Sequence, residues 1–170
     1  MDPEDPIDRL LEQWHRERPE LELAPMALVA RLMRLSARLD REVGAGLAGS
    51  GLQTGWFDVL SALRRGGKPF RMSPGELASA VMLSSGGMTK RLDRMEAEGL
   101  IARRPDPDDR RGLLIELTAS GRRRIDRAIE AHLANEERLL ASLSAAERGR
   151  LEKLLRTLDS GLPGYEGIGP

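Results

Sequence analysis

The sequence predicts a mainly α fold with a small β-hairpin, and three observations predict it. Apolar residues recur at steps of three and four along most of the 170 residues. Two Ser-x-x-Glu segments, SPGE at 73–76 and SAAE at 144–147, have the form of helix-opening capping boxes. Between them the period shortens at 100–104 and 113–117, where two strand-like runs flank the turn-rich PDPDDRRG. A chain of this length can bury a full core unaided. With two Trp, two Phe and one Tyr, that core must be built from aliphatic helix faces.

Leu10, Leu11 and Trp14 fit a short first helix that ends near Pro19, because proline disfavours helix in the residue before it. A second helix is expected after Pro25, with Leu28, Leu32, Leu35, Leu39 and Val43 on one stripe, broken by GAGLAGSG at 44–51. Thr54 can cap a third, on which Phe57, Leu60 and Leu63 share a face and which ends at Gly66-Gly67. SPGE places Ser at the cap, Pro first and Glu third, opening a short helix through Val81. A tight connection at LSSGG (83–87) leads to a helix with Met88, Leu92 and Met95 inward, closed by Gly99. After the hairpin, Thr118 can cap a long helix over 119–143 carrying Ile125, Ile129, Leu133, Leu140 and Leu143. SAAE then opens a last helix lined by Leu151, Leu154, Leu155 and Leu158 and ending at Gly161.

The absence of cysteine removes disulfides, thiolate metal sites and thiol nucleophiles. No apolar run approaches the roughly 20 residues of a membrane span, and acidic residues follow Met1 instead of a signal peptide, so a cytoplasmic protein without membrane contact is expected. His15 and His132 are the two histidines; a metal site would need carboxylates such as Glu136, and a surface or interface histidine is expected instead. No nucleophile motif, phosphate-cradling loop or paired carboxylates in apolar context occurs. Neither an enzyme, a metal nor a cofactor is therefore expected.

Lys and Arg balance Asp and Glu at 27 each, but unevenly along the chain. Residues 1–23 hold eight acids against three arginines, −5; residues 61–91 hold six bases against Glu76 alone, +5. A basic middle beside an acidic arm points to a polyanionic partner.

Helix, tight turn, helix and hairpin in that order make a winged helix-turn-helix, whose second helix is narrow enough for the DNA major groove. Ser84, Ser85, Thr89, Lys90 and Arg94 lie opposite the Met88–Leu92–Met95 stripe. Gly86 and Gly87 allow the backbone to approach phosphates. Arg110 and Arg111 sit at the hairpin tip, within reach of a minor groove or phosphates. The expected DNA-binding set is thus Ser84, Ser85, Gly87, Thr89, Lys90, Arg94, Asp109, Arg110 and Arg111. The other class of function compatible with these residues is a protein–protein module in which Lys90, Arg94 and Arg111 meet an acidic surface.

The segment MLSSGGMTKRLDRMEAEGLIARRPDPDDRRGLLIELTASG (82–121), above all DDRR at the loop tip and LT-x-x-G after it, resembles the MarR-type transcriptional regulators. The resemblance extends over nearly the whole chain. It implies a homodimer whose first and last helices interlock, with one winged helix per subunit on a palindromic DNA operator. The family's wing aspartate and arginine fall on Asp109 and Arg111, the arginine entering the minor groove and the aspartate orienting it. Independently, the 28–43 and 119–143 helices carry more apolar stripe than one such domain needs, which a two-fold dimer would bury. The division expected is 1–53, N-terminal helices for dimerisation and one pocket wall; 54–118, the DNA-binding winged helix; 119–162, C-terminal dimerisation helices; and 163–170, a disordered tail.

Trp14–Leu21 (W-x-x-x-R-P-E-L) and GWFDVL at 55–60 resemble the urate-responsive subgroup. That subgroup holds an anionic purine with a Trp, an Asp, an Arg and an Asn, and Trp14, Asp58 and Arg91 match the first three. The fourth has no match, since the chain's sole Asn is Asn135, in the long C-terminal helix. What carries over is a site for a small anionic effector. Arg91 also stands out by spacing: three residues after Met88 and four before Met95, it projects near the inward stripe. A buried guanidinium stays charged and needs an anion. Asp58 and a bound ligand are the two candidates.

Overall fold

Residues 5–81, 87–109 and 112–163 are described by a computed structural model. Helix α1 (Pro6–Glu17) starts on a proline, and the Asp5 carboxylate accepts the Ile7 N–H at 3.1 Å. Asp5 also binds Arg34 at 2.5 Å and, with Asp8, Arg31. The acidic arm is thereby fastened along α2 (Ala24–Ala48).

Helix α2 corrects one expectation, because it runs through the glycines at 44 and 46 to Ala48. These glycines serve packing. A Cβ on Gly46 would stand 2.5 Å from Asn135 Nδ2, and the next residue, Leu47, is buried. The chain turns only beyond Ala48, with Gly51 at φ +68. Helix α3 (Thr54–Arg65) is entered one residue earlier than expected: the cap is Gln53, extended at φ −75 and ψ 150, without a side-chain capping bond. Its end at Gly66 and Gly67 is as expected.

A strand too short to leave a periodic signal, β1 (Arg71–Met72), precedes α4 (Pro74–Ala80). The Ser73–Glu76 capping box forms in full. The connection 82–86 lies outside the described residues. Helix α5 (Met88–Ala97) leads through Gly99, at φ +66, to β2 (Ile101–Pro105) and β3 (Leu113–Leu117). The sheet is antiparallel in the order β1-β3-β2, with Met72 and Arg103 both opposite Ile115.

Helix α6 (Ala119–Leu139) is shorter than expected, leaving Leu140 and Leu143 in the following turn. A helix end exposes carbonyls that need donors. Arg148 supplies them, donating to Leu140 O at 2.9 Å and Leu143 O at 3.1 Å from the first turn of α7 (Ala145–Ser160). The Ser144–Glu147 box opens α7 as the sequence indicated. The expected disordered tail lies, from 164 on, outside the described residues.

The core lies between α3, α4, α5, the sheet and the first half of α6, where Leu60, Leu63, Leu77, Met95, Leu100, Ile115 and Ile125 are buried. LT-x-x-G locks it. Thr118 accepts the Gly121 N–H at 3.0 Å and donates towards Gly99 O at 2.7 Å. A Cβ on Gly121 would fall 2.0 Å from Leu100 O, so glycine is what lets α6 start against β2. Outside this core the burial ends: α1 and α7 contain no buried residue and α2 only Leu47.

Candidate nucleic-acid interface

Helix α5 has two faces. Met88, Leu92 and Met95 anchor one of them in the core, while Thr89, Lys90, Asp93 and Arg94 are exposed on the other. Gly87, the N-cap, is exposed, and a Cβ there would meet nothing within 4 Å. No contact among the described residues therefore demands glycine at 87. The C-terminal half of α5 is tied to the hairpin by Arg103 of β2, a network the sequence reading missed. Its guanidinium binds Asp93 at 2.6 Å and also Glu96, whose carboxylate accepts the Arg103 N–H at 2.9 Å. These bonds hold the Glu96 carboxyl below its ordinary range. Opposite charges on α5 and β2 were the signal, but the pairing needs the turn geometry to be known.

Ser84, Ser85, Arg110 and Arg111 lie outside the described residues. The base of the hairpin tip is described. The Asp106 carboxylate accepts the Asp108 N–H at 2.9 Å, an Asx turn, and Asp109 O accepts the Gly112 N–H at 2.8 Å. A Cβ on Gly112 would stand 2.9 Å from Asp106 Cβ, so PDPDDRRG closes only with glycine last. Asp109 is exposed at this tip.

The basic middle of the chain is partly neutralised internally. Arg64 pairs with Asp126 at 2.6 Å, Arg71 with Glu116 at 3.2 Å, and Arg65 donates to Ala80 O at 2.5 Å. Lys68, Lys90 and Arg94 remain exposed, so the cationic surface near α5 is smaller than the local count of +5 suggests.

Behind α5, Arg91 is half-buried, with its guanidinium lying across Gly55 at the start of α3. A Cβ on Gly55 would stand 2.6 Å from Arg91 Cζ. The glycine of GWFDVL is thus the slot for that guanidinium. Arg91 and Asp58 make no direct ion pair. Burial raises the Asp58 carboxyl above its ordinary value, and the charges of Arg91, His132 and Arg65 pull it back. Trp14 stands apart: it is 42% exposed on α1, which packs on α2. The structure therefore brings Asp58 and Arg91 to one corner and leaves Trp14 outside it in the single chain.

In the single chain His132 departs from the surface position that was one of the two expected for it. Its side chain is 14% exposed, its ring packs 4.6 Å from that of Phe57, and Nε2 is 3.1 Å from Glu136 Oε1. Its spacing carried the signal, seven residues after Ile125 on the stripe of Ala128 and Ile129. Among the described residues no three His, Asp or Glu side chains cluster as a metal would need, and no helix is long and apolar enough to cross a membrane.

Residues 50–112 match the sequence profile of the MarR family. The chain is 35% identical to the HTH-type transcriptional regulator PecS of Dickeya dadantii over 92% of its own length and 94% of that protein's. A cysteine-to-serine variant of MarR from E. coli, solved in complex with operator DNA, superposes with a TM-score of 0.69 at 26% identity, covering 82% of this chain and 99% of that one. AbsC, a MarR family transcriptional regulator from Streptomyces coelicolor, superposes with a TM-score of 0.75 at 25% identity, covering 85% and 98%. These relatives are regulators and not enzymes, and their likeness spans the helices on both sides of the hairpin. With its two-faced α5, its hairpin and the locked LT-x-x-G turn, the chain belongs to the MarR family of winged-helix, DNA-binding transcriptional regulators.

Proposed function

We propose that the protein is a homodimeric repressor that occupies a palindromic operator and is released from it by a small anionic ligand. The observation that carries this reading is α5, anchored by Met88, Leu92 and Met95 and offering Thr89, Lys90 and Arg94 to the outside. A rigidly seated helix with a polar and cationic outer face suits the major groove, and the open space at Gly87 suits a phosphate. Ser84, Ser85, Asp109, Arg110 and Arg111 complete the contact set, Arg111 entering the minor groove from the wing. The relative solved on operator DNA supports the same use of the fold.

The dimer rests on exposed apolar surface. Leu28 and Met33 on α2 and Leu154 on α7 are 60%, 70% and 67% exposed, and Leu133, Leu155 and Leu158 add to them. Patches of this kind on a soluble chain mark interaction surfaces. A two-fold axis through them sets two α5 helices one DNA turn apart, about 34–36 Å.

The effector reading rests on Arg91 and Asp58: a half-buried guanidinium beside a carboxyl whose charged form burial disfavours, directly behind the DNA-reading helix. A ligand anion binds Arg91, perturbs Asp58 and tilts α5, with Trp14 closing the site in the assembled protein. Coupling of about 1–3 kcal/mol releases DNA roughly 5–150-fold.

Footprinting and gel shifts across a salt series test the DNA reading. A palindromic footprint is expected, with affinity falling steeply in salt. Arg94→Ala should weaken all sequences alike, and Thr89→Ala should change sequence preference. Weak salt dependence without a footprint would favour a protein partner instead. Titrating the complex with urate, other purines and small carboxylates tests the effector, and Arg91→Ala should bind DNA and cease to respond.

A further inference from the structure

The positive charge that the winged domain leaves uncancelled is not confined to α5. On the sheet, Glu116 of β3 is shared by two arginines, Arg71 of β1 at 3.2 Å and Arg104 of β2 at 3.1 Å. One carboxylate cannot neutralise two guanidiniums, and the side chains of Arg71 and Arg104 are 38% and 58% exposed. Ile115 and Leu117 are buried, so Glu116 between them, with Arg71 opposite it, lies on the sheet face turned away from the core and from α5.

Next to Arg71, Phe70 has φ +61, an uncommon and costly conformation for a bulky side chain. Its N–H donates to Gly67 O at 2.6 Å, and its O accepts the Leu117 N–H at 3.0 Å. The ring so placed lies under two guanidiniums, Arg64 at 5.2 Å and Arg122 at 6.0 Å from its centroid, which is cation–π range. The carboxylate at hand, Asp126, pairs with Arg64 at 2.6 Å. Arg122 and Lys68 are exposed and make no ion pair among the described residues.

Arg104, Arg71, Arg64, Arg122 and Lys68 thus form one ridge, in which five cations face two carboxylates and three positive charges are left over. The ridge starts beside the hairpin tip, because Arg104 precedes Pro105, the last paired residue of β2. From Arg104, opposite Leu114, to Arg71, opposite Glu116, it runs about 7 Å along the strands and about 10 Å across them.

We propose that this ridge is a second, sequence-independent DNA surface, taking phosphates of the duplex outside the base pairs that α5 reads. This rests on the DNA reading of α5 and the wing given above. A duplex whose groove receives the hairpin tip continues past Arg104, and the ridge faces away from α5, so the phosphates it reaches flank the half-site. That continuity with the tip favours DNA over an acidic protein as the occupant. Such contacts release counterions and add affinity without reading bases.

Gel shifts test this with two duplexes: the footprinted operator trimmed to its two half-sites, and the same operator extended at each end by random sequence of about one helical turn. Wild type is expected to bind the extended duplex at least about tenfold tighter. Its log–log salt slope should be steeper by about two to four, one or two phosphates for each ridge of a dimer. Lys68→Gln combined with Arg122→Gln should bind the trimmed operator as wild type does and lose most of the length advantage. Arg71→Gln should also reduce it, and keeps the test open if the double variant is unstable. Equal affinity of wild type for both duplexes, or an advantage undiminished in both variants, overturns the proposal. Retention on poly-glutamate that the double variant loses, without any length advantage, also overturns it and gives the ridge to an acidic protein. If wild type binds neither duplex, or binds both without salt dependence, the DNA reading falls as well. Tight, salt-dependent binding that ignores the flanks sinks this proposal alone.

Discussion

Leu60, Leu63, Leu77 and Met95 are out of solvent inside the winged domain, whereas Met33 and Leu154, no less apolar, stand mostly in water on α2 and α7. The first set is enclosed by α3, α4, α5, α6 and the sheet of its own chain. The second faces outward from helices that bury one residue between them, Leu47. Aliphatic helix faces of similar composition thus end in opposite environments. The DNA-reading half is complete in one chain, and the outer helices have a face that only another surface can cover, on our proposal a second copy.

One substitution made in both regions breaks or sharpens this contrast most strongly. Gly121→Ala forces a Cβ to 2.0 Å from Leu100 O and should cost about 3 kcal/mol or more in urea unfolding. Gly149→Ala, in α7 with nothing within 4 Å, should instead gain roughly 0.5–1 kcal/mol. A loss at Gly149 would place a tight contact from a second copy there. Next in size, Met33→Glu combined with Leu154→Glu should halve the sedimenting mass and weaken operator binding about 100-fold, roughly 2.7 kcal/mol. A chain that stays dimeric would move the interface off these faces.

Within the self-contained half, Arg103→Ala frees the end of α5 from β2 and should weaken DNA binding about tenfold, near 1.4 kcal/mol, with little change in salt slope. A fall in the slope by one unit would make Arg103 a phosphate contact. The smallest effect is one of pH. Burial raises the Asp58 carboxyl, so the native state holds that proton more tightly than the unfolded chain. Its contribution is intact below the ordinary value of 3.8 and is lost as pH rises through the folded value. Melting temperatures of Asp58→Asn should therefore lack this decline. Glu147, lowered by its bonds to Ser144, acts oppositely: its contribution is present above 4.5 and lost on acidification through its folded value, and Glu147→Gln should remove that acid sensitivity.

Local chemistry made much of the fold legible. Ser73–Glu76, Ser144–Glu147 and Thr118 cap where their side chains reach their own next turn, and Met88, Leu92 and Met95 face inward as their spacing requires. The cap of α3, one residue earlier than expected, is a local error, and the larger errors are non-local. GAGLA reads as a helix breaker until Asn135 of α6 is seen against Gly46, and Leu140 and Leu143 read as helix until Arg148 takes their carbonyls. Of the corner behind α5, Asp58 and Arg91 were legible by motif and spacing. The role of Gly55 was not, because the sequence cannot say which side chain fills a glycine's space, and the spacing of His132 indicated its inward side but not the ring it meets.

The sequence by itself determined the capped starts of α4, α6 and α7, the hairpin and the two faces of α5, since each depends on residues within about one turn of each other. Only the tertiary structure decided that part of the basic middle is engaged internally, Arg64 and Arg71 by Asp126 and Glu116 and Arg65 by Ala80 O, and that Arg91 lies across Gly55 instead of pairing with Asp58. It also decided that the His132 ring meets Phe57. Those outcomes join residues tens of positions apart, and their partners are chosen by how α3, α5 and α6 pack, a choice that no local pattern encodes.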